Sequence, residues 1–455
     1  MLLVKPTANY IFLFLVFLFS YFVSSAQENS PYSRYGLGDL YPQQHIASRG
    51  MGGLTAAFVN PQAINTVNPA SYGSLSLVTY DIGLSIDART LLSANPVSKY
   101  SSTNFLPSYL QLGIPLNKRG AGLVFGIRPV TRINYNVEES KLVHYDSLGI
   151  TDSIHTVYEG DGGLNQVFFG LGKRWKNFSA GFNAGYEWGS KNISTKVNFP
   201  ADSLHFYPSN SSDTTHFWGL FLNPGFMGNF KLKQRMNPVA KTRETYYLNI
   251  GASGTVEQKL KASKTITRQT FSYTDAGVIV PIDSISKVSG IEGVINIPLT
   301  YTAGFMFTKT IASVAEVNKW GIGADYTSTK WTKYRYYGLP DQLNDSWYIH
   351  VGAEFSPDPL SNKSLFSRGM YRAGFYTGKD YINADGNGYK VRALTLGYSF
   401  NLRRFRSYDK QFTMINTAIE FGKRGTSINN VTENFFKFSL GLSLSDVWFI
   451  KRKYD

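Results

Sequence analysis

The last residues of the chain, FFKFSLGLSLSDVWFIKRKYD (residues 435–455), show the pattern that decides the fold. Large apolar side chains alternate strictly with small or polar ones. The apolar positions are Phe436, Phe438, Leu440, Leu442 and Leu444, and between them stand Lys437, Ser439, Gly441 and Ser443. Successive side chains of a β-strand point to opposite faces, so this stretch predicts a strand with one apolar and one polar face.

The same alternation recurs along most of the chain. We predict fourteen strands at 78–87, 108–116, 121–137, 164–174, 178–189, 216–230, 245–256, 294–308, 318–328, 347–356, 369–377, 391–402, 411–422 and 435–445. The even count depends on taking 121–137 as one strand kinked near Pro129. Many of these segments reach the length that a tilted strand needs to cross a bilayer.

Composition narrows the class of protein further. The chain has 32 Phe, 30 Tyr and 42 Gly, and it has no Cys, which excludes a disulfide framework and a lipid-modified cysteine. The net charge is +15, but the basic residues are scattered. We therefore expect them at the rims of a membrane protein, facing anionic lipid and lipopolysaccharide, and we expect no nucleic-acid partner.

The N-terminus predicts export. Lys5 precedes an apolar run from Tyr10 to Val23, and Ser24-Ser25-Ala26 follows it. A membrane anchor is the alternative, but the run is short and small polar residues come after it. We predict a signal peptide over residues 1–26, cleaved before Gln27.

Aromatic residues at strand ends distinguish a membrane barrel from a soluble β-sandwich or propeller. Interfacial girdles have this distribution, and the predicted members are Trp175, Tyr186, Trp188, Trp320, Trp331, Tyr334, Tyr336, Tyr337, Trp347, Tyr348 and Trp448. No repeat of propeller length is present. The sequence thus predicts an all-β chain, a transmembrane antiparallel β-barrel of about fourteen strands over residues 75–455. Short turns alternate in it with long polar loops at 138–163, 190–215, 257–293, 329–346 and 378–390.

Residues 27–74 do not alternate. A disordered tail is one interpretation, but Ile46, Met51, Leu54 and Phe58 make the segment too apolar for that. We predict that it forms a hatch, a plug packed inside the barrel lumen.

Two stretches of this segment resemble a known family. RGMGGLTAAFVN (residues 49–60) and INTVNPASYGSL (residues 64–75) resemble the N-terminal hatch of FadL-type outer-membrane transporters. The residues that match its motif are Gly50, Met51, Gly52, Gly53, Asn68, Pro69 and Ala70. SPYSRYGLGDL (residues 30–40) and the closing DVWFIKRKYD resemble a Bacteroidota-type member.

The resemblance implies a monomeric fourteen-strand barrel of the outer membrane that lets hydrophobic small molecules pass. PorV-like relatives imply the alternative, a non-transporting accessory barrel that binds protein partners of secretion or gliding. Polar rather than apolar external loops favour this alternative. Substrate-binding residues stay unknown at this point.

Residues for catalysis or metal binding do not cluster. His350 and Glu354 share one strand face, either as a proton or metal pair or as two lumen residues in channel water. The G-x-S-x-G motif of hydrolases is absent, and Asn383–Gly388 suits a turn better than a calcium loop. We therefore expect neither an enzyme nor a cofactor nor a metal.

Charged residues of both signs fall on predicted lumen faces. They are Asp81, Asp87, Arg128, Arg132, Glu187, Asp325, Glu354, Arg372, Glu420 and Lys437. We expect them to tether the hatch through Arg34, Asp39 and Arg49; a path for a charged substrate is the alternative.

Overall fold

The computed structural model of the protein describes residues 30–117, 120–145, 150–199, 206–238, 242–274, 279–312, 316–360, 364–384, 386–402 and 412–446. The predicted signal peptide at 1–26 and the closing Trp448, Phe449, Lys451, Arg452 and Lys453 lie outside these residues. No helix in the described ranges is long and apolar enough to cross a membrane.

The described residues form eighteen strands and a few short helical turns. The strands are β1 (Asp39–Leu40), β2 (Val78–Ala94), β3 (Val97–Asn117), β4 (Ala121–Tyr145), β5 (Ile150–Trp175), β6 (Phe178–Asn198), β7 (Ser209–Asn237), β8 (Thr242–Thr255), β9 (Gln258–Tyr273), β10 (Ile279–Ile297), β11 (Thr300–Ala312), β12 (Glu316–Thr329), β13 (Arg335–Tyr336), β14 (Ser346–Phe355), β15 (Met370–Lys379), β16 (Lys390–Asn401), β17 (Phe412–Arg424) and β18 (Val431–Asp446). The helical turns are Pro31–Arg34, Ile46–Arg49, Pro69–Ser74, Trp331–Lys333 and Leu365–Arg368.

The strands close into an antiparallel barrel, because the last strand β18 pairs with β2. Strands β8 and β9 follow one another along β7, and β10 and β11 likewise form one interrupted strand beside them. With each of these pairs counted once and the two-residue strands β1 and β13 left out, the ring has fourteen strands. The predicted fourteen-strand barrel is confirmed, and the kink expected near Pro129 is a register shift between Pro129 and Thr131.

The two faces of β18 point as its sequence predicts. Ser439 and Ser443 are fully buried on the lumen side, whereas Phe436 and Leu440 are 39% and 41% exposed on the outer side. The outer face of the barrel is thus the apolar one, as contact with lipid tails requires.

One side of the barrel wall is far taller than predicted. Strands β4, β5 and β7 have 25, 26 and 29 residues, whereas β14 and β15 on the opposite side have 10 each. The predicted loops at 138–163, 190–215 and 257–293 are mostly strand, so that prediction is wrong. Only a few inward residues of these extensions, such as Leu260, Ala262 and Phe271, are buried. The apolar alternation is therefore weak, while Thr, Val and Ile still favour strand.

The N-terminal segment (residues 30–77) runs through the ring from one end to the other. Ser30 donates its hydroxyl to Glu433 at the end opposite the start of β2 and the end of β18, which we call the outer end. Tyr72 donates to Asn183 in the other half, and β2 begins shortly afterwards. The largest apolar side chains of the segment, Ile46, Met51, Leu54, Phe58, Ile64 and Tyr72, are almost fully buried.

An apolar cluster fills the outer mouth of the lumen. This mouth cluster joins Tyr32 and Leu37 of the N-terminal segment to the β12–β14 and β15–β16 loops, which contribute Trp331, Tyr334 and Tyr381. Trp331 and Tyr334 were expected in an interfacial girdle, but their loop folds over the lumen and buries them, so that expectation is wrong. Burial raises the pKa of Tyr334 well above its usual range, so its hydroxyl stays neutral.

Candidate functional site

A cavity of about 390 Å³ lies in the lumen between upper and lower parts of the N-terminal segment. Polar side chains from most strands line it, including Arg89, Arg128, Gln166, Glu187, Asn223, Thr302, Thr327, Tyr348, Tyr376, Glu420 and Lys437. Leu37, Leu40, Val130 and Leu164 add an apolar portion on the side of β4 and β5.

The barrel wall has a break beside this apolar portion. Strands β3 and β4 pair only from Leu110 and Ile127 towards the turn that joins them. Above that point β3 still pairs with β2 as far as Val97, and β4 still pairs with β5 as far as Tyr145. The two strands therefore part in their outer halves.

Two prolines explain where the pairing ends. Pro107 of β3 and Pro129 of β4 both come just beyond the last pair, Leu110 with Ile127. Proline has no backbone N–H to donate, so neither position can extend the ladder.

Residues 39–43 of the N-terminal segment, here the strap, occupy the break. Asp39 and Leu40 pair with β4, Tyr41 N–H donates to the Val130 carbonyl at 2.9 Å, and the Gln43 amide donates to the Pro129 carbonyl at 3.0 Å. Leu40, Tyr41 and Val130 also line the cavity. The strap thus separates the cavity from the break in the wall.

A buried ionic network holds the strap at its upper end. Asp39 accepts hydrogen bonds from Arg89 of β2 and from Arg424 of β17, the latter at 3.0 Å. Arg89 also contacts Asp87 at 2.8 Å and Glu433 at 3.0 Å, and Arg424 bonds Asp380. Buried charges are costly to desolvate, and the surrounding opposite charges offset that cost only while the strap supplies Asp39.

Further contacts hold the lower half of the N-terminal segment. Asp325 accepts from the Thr55 and Ala56 backbone N–H groups at 2.5 and 2.8 Å. Arg128 donates to the Thr66 hydroxyl at 2.7 Å, and His45 lies 2.7 Å from Asp81.

Only some of the charged residues predicted to tether the hatch therefore contact the N-terminal segment in the structure. Asp39, Asp81, Arg128 and Asp325 lie at contacts with the segment. Arg49 bonds the Ser85 and Ser439 hydroxyls, and Arg372 pairs with Glu354 at 3.1 Å within the wall. Glu187 bonds Gln166, and Glu420 accepts from Tyr376, so neither reaches the segment.

Sequence reasoning missed the two arginines that bind Asp39, Arg89 and Arg424. Both point into the lumen from the outer parts of β2 and β17, just beyond the predicted strands 78–87 and 411–422. The alternation that marks lumen positions is weaker there. It also missed His45, because a lone histidine in an irregular segment carries no spacing signal.

Several hatch-motif residues bring the backbone of the N-terminal segment close to the wall, and others hold the segment together. Gly52 and Gly53 adopt φ values of +70° and +86°, which favour glycine, and Gly52 N–H donates to the Thr395 hydroxyl at 2.8 Å. Asn68 donates to the Ala56 carbonyl at 2.6 Å and caps the helical turn Pro69–Ser74, in which Ala70 is fully buried. Gly50 and Met51 pack directly on wall glycines.

His350 lines the cavity, and its Nδ1 lies 2.6 Å from the Gly52 carbonyl, whereas Glu354 is buried and pairs with Arg372. The interpretation of the two residues as a proton or metal pair is therefore wrong, and channel water does not account for Glu354. Within the described ranges no group of three or more His, Asp or Glu is arranged to hold a metal ion.

The closed antiparallel fourteen-strand barrel matches the fold of FadL-type channels. CymD, a monoaromatic hydrocarbon channel, superposes with a TM-score of 0.52 at 14% identity, over 91% of this chain and 99% of CymD. A FadL homologue of Pseudomonas aeruginosa gives 0.51 at 13% identity, over 90% and 99%. At such identities the likeness concerns the fold alone.

No curated protein matches the sequence. The chain belongs to the BamG family, whose model matches residues 8–455.

Proposed function

We propose that this BamG-family chain is a FadL-like barrel of the outer membrane that passes hydrophobic small molecules sideways between its lumen and the bilayer. The observation that carries the proposal is the β3–β4 break next to the cavity, covered only by the strap. Neither an enzymatic step nor a cofactor is needed for passive passage.

The apolar portion of the cavity supports a sideways path. Leu37, Leu40 and Val130 form a short apolar surface from the cavity to the break. The axial route is filled by the mouth cluster at one end and by the lower half of the N-terminal segment at the other. A molecule in the cavity would leave by displacing the strap, which is bound to β4 by a few hydrogen bonds.

An accessory barrel that binds protein partners of secretion or gliding, and transports nothing, is the second candidate. The polar majority of the cavity lining favours it, because an apolar ligand would leave Glu187 and Asn223 unsatisfied. The tall outer wall favours it as well, since a channel needs no strands of 26 residues.

Native mass spectrometry of the detergent-extracted full chain separates the two candidates. Passage of hydrophobic molecules predicts a monomeric barrel that carries a bound compound of low mass. A barrel with an empty lumen that retains a second protein would contradict transport and support the accessory role.

A further inference from the structure

The outer half of β4 leaves one side of its backbone without a strand partner in the described structure. From Thr131 to Tyr145 it pairs with β5 in one unbroken register. On its other side, the strap pairs with β4 at Thr131 and Arg132, and β3 pairs with β4 only between Ala121 and Ile127. We call residues 135–143 the β4 edge.

The strap shows which backbone groups face this edge. Tyr41 donates to the carbonyl of Val130, and Asp39 pairs with Arg132, so even-numbered residues present their N–H and C=O groups on this side. Groups alternate along an antiparallel strand, which places those of Asn136, Glu138, Ser140 and Leu142 on the open side. A regular unpaired edge is a template for another strand.

The other edge of the same tall wall is protected. Strand β10 contains Pro281 and has three register shifts, between Pro281 and Asp283, Ser284 and Ser286, and Val288 and Ile291. Proline and bulges prevent a foreign strand from pairing at an exposed edge. The β4 edge has neither feature between Thr131 and Tyr145.

We propose that the β4 edge binds an extended segment of a partner protein, which adds to the wall as a strand antiparallel to β4. The strap sets the precedent, because it already pairs antiparallel at the adjoining residues Thr131 and Arg132. The chain's own segment does not pair with the β4 edge as a strand, although the Asn134 N–H just before the edge donates to the Ser33 hydroxyl at 3.2 Å. It turns inward at Gly38, where φ is +104° and a Cβ would lie 2.5 Å from the Arg132 carbonyl. The β4 edge of a second copy in the same membrane cannot be this strand, because it runs in the same direction and cannot pair antiparallel.

The side chains define the chemistry of the partner strand. Ile133 and Tyr135 are buried on the lumen side, so alternation places Val137 and Val143 at the two ends of that face, with Glu139 and Lys141 between them. The other face carries Glu138, Ser140 and Leu142. The partner strand would therefore place apolar residues beside Val137, Val143 and Leu142, and hydroxyl or basic ones beside Glu138 and Ser140. The binding does not depend on whether the barrel passes a small molecule.

Site-specific photocross-linking of the full chain in its own cells tests this proposal. A benzoylphenylalanine at Leu142, which is 73% exposed, should form an adduct with one partner protein. Ser140→Pro removes an N–H that makes no bond to β5, and should lower adduct yield about tenfold, while Ser140→Ala should not. Asn136→Pro repeats the test at a second position.

The position of the cross-link on the partner tests the register and the direction of the added strand. Moving the photoreactive residue from Leu142 to Glu138 should move the attachment point about four residues the opposite way along the same partner segment. Equal adducts from the Pro and Ala variants, an adduct of two copies of this chain, or a folded protein without any adduct would overturn the proposal. Folding is checked by the mobility shift of the unheated barrel in SDS.

Discussion

Glycines on the inner face of the wall let the N-terminal segment approach it backbone to backbone. A Cβ on Gly251 would lie 1.8 Å from the Ala56 carbonyl, and one on Gly352 would lie 2.3 Å from the Met51 carbonyl. The other wall glycines in such contact are Gly122, Gly172, Gly181, Gly374 and Gly397. In the sequence they look like ordinary small residues of alternating strands, because nothing local tells which of them meets the segment.

Gly251→Ala should destabilise the protein by about 1–3 kcal/mol, because the new methyl group forces the segment away from its seat. The shift in urea midpoint in detergent micelles measures this. Gly388→Ala is the control, since its nearest neighbour is the flexible end of Lys379. Equal midpoints for the two variants would show that the segment does not rest on Gly251.

Asp39→Asn should loosen the strap, because Arg89 and Arg424 then lose the buried carboxylate that they share. We expect a loss of about 2 kcal/mol in the free energy of unfolding and faster amide exchange confined to residues 37–43. Asp345→Asn is the matched control, since that carboxylate pairs with Lys330 in a more exposed loop and should give a smaller loss. Faster exchange spread evenly over the barrel would contradict the local role of Asp39.

At the scale of elements, the strands were predictable and their pairing was not. Each predicted strand coincides with one strand of the ring, because lipid on one face and the packed lumen on the other impose a period of two. The break between β3 and β4 depends on Pro107 and Pro129 becoming neighbours, which requires the register of two strands. Only the kink at Pro129 was visible in the sequence.

Deleting residues 30–75, while keeping everything before Ser30, should turn the barrel into an open pore, because the segment fills the lumen along its length. Single-channel recording in planar bilayers should then show ion-conducting steps that the full chain lacks. Deleting only 30–43 should leave the barrel closed, since Met51, Leu54 and Phe58 still pack in the lumen. Equal conductance of the two deletions would contradict the blocking role of the lower half.

At the scale of the whole molecule, the barrel combines a short wall on one side with a tall one on the other. The membrane-crossing strands were predicted correctly, but loops were predicted where the tall wall stands, because few residues of its upper part are buried and the periodic pattern is weak there. The mouth cluster could not be predicted from the sequence either, since it joins three distant stretches of chain. Transport, partners and the role of the hatch motif stay predictions.

A disulfide between strap and wall tests sideways passage most directly. Leu40 and Thr131 pair next to the hydrogen-bonded pair of Tyr41 and Val130, so they form a close non-hydrogen-bonded pair suited to a disulfide. The chain has no cysteine of its own, so Leu40→Cys with Thr131→Cys gives a single defined bond.

Uptake of a radiolabelled apolar small molecule, with toluene as the probe, by cells that make this variant is the measurement. We expect the oxidised variant to take up no more than cells without the protein, a reductant to restore wild-type uptake, and each single-cysteine variant to behave as wild type. Wild-type uptake in the oxidised variant, or no protein-dependent uptake at all, would contradict passage through the break between β3 and β4.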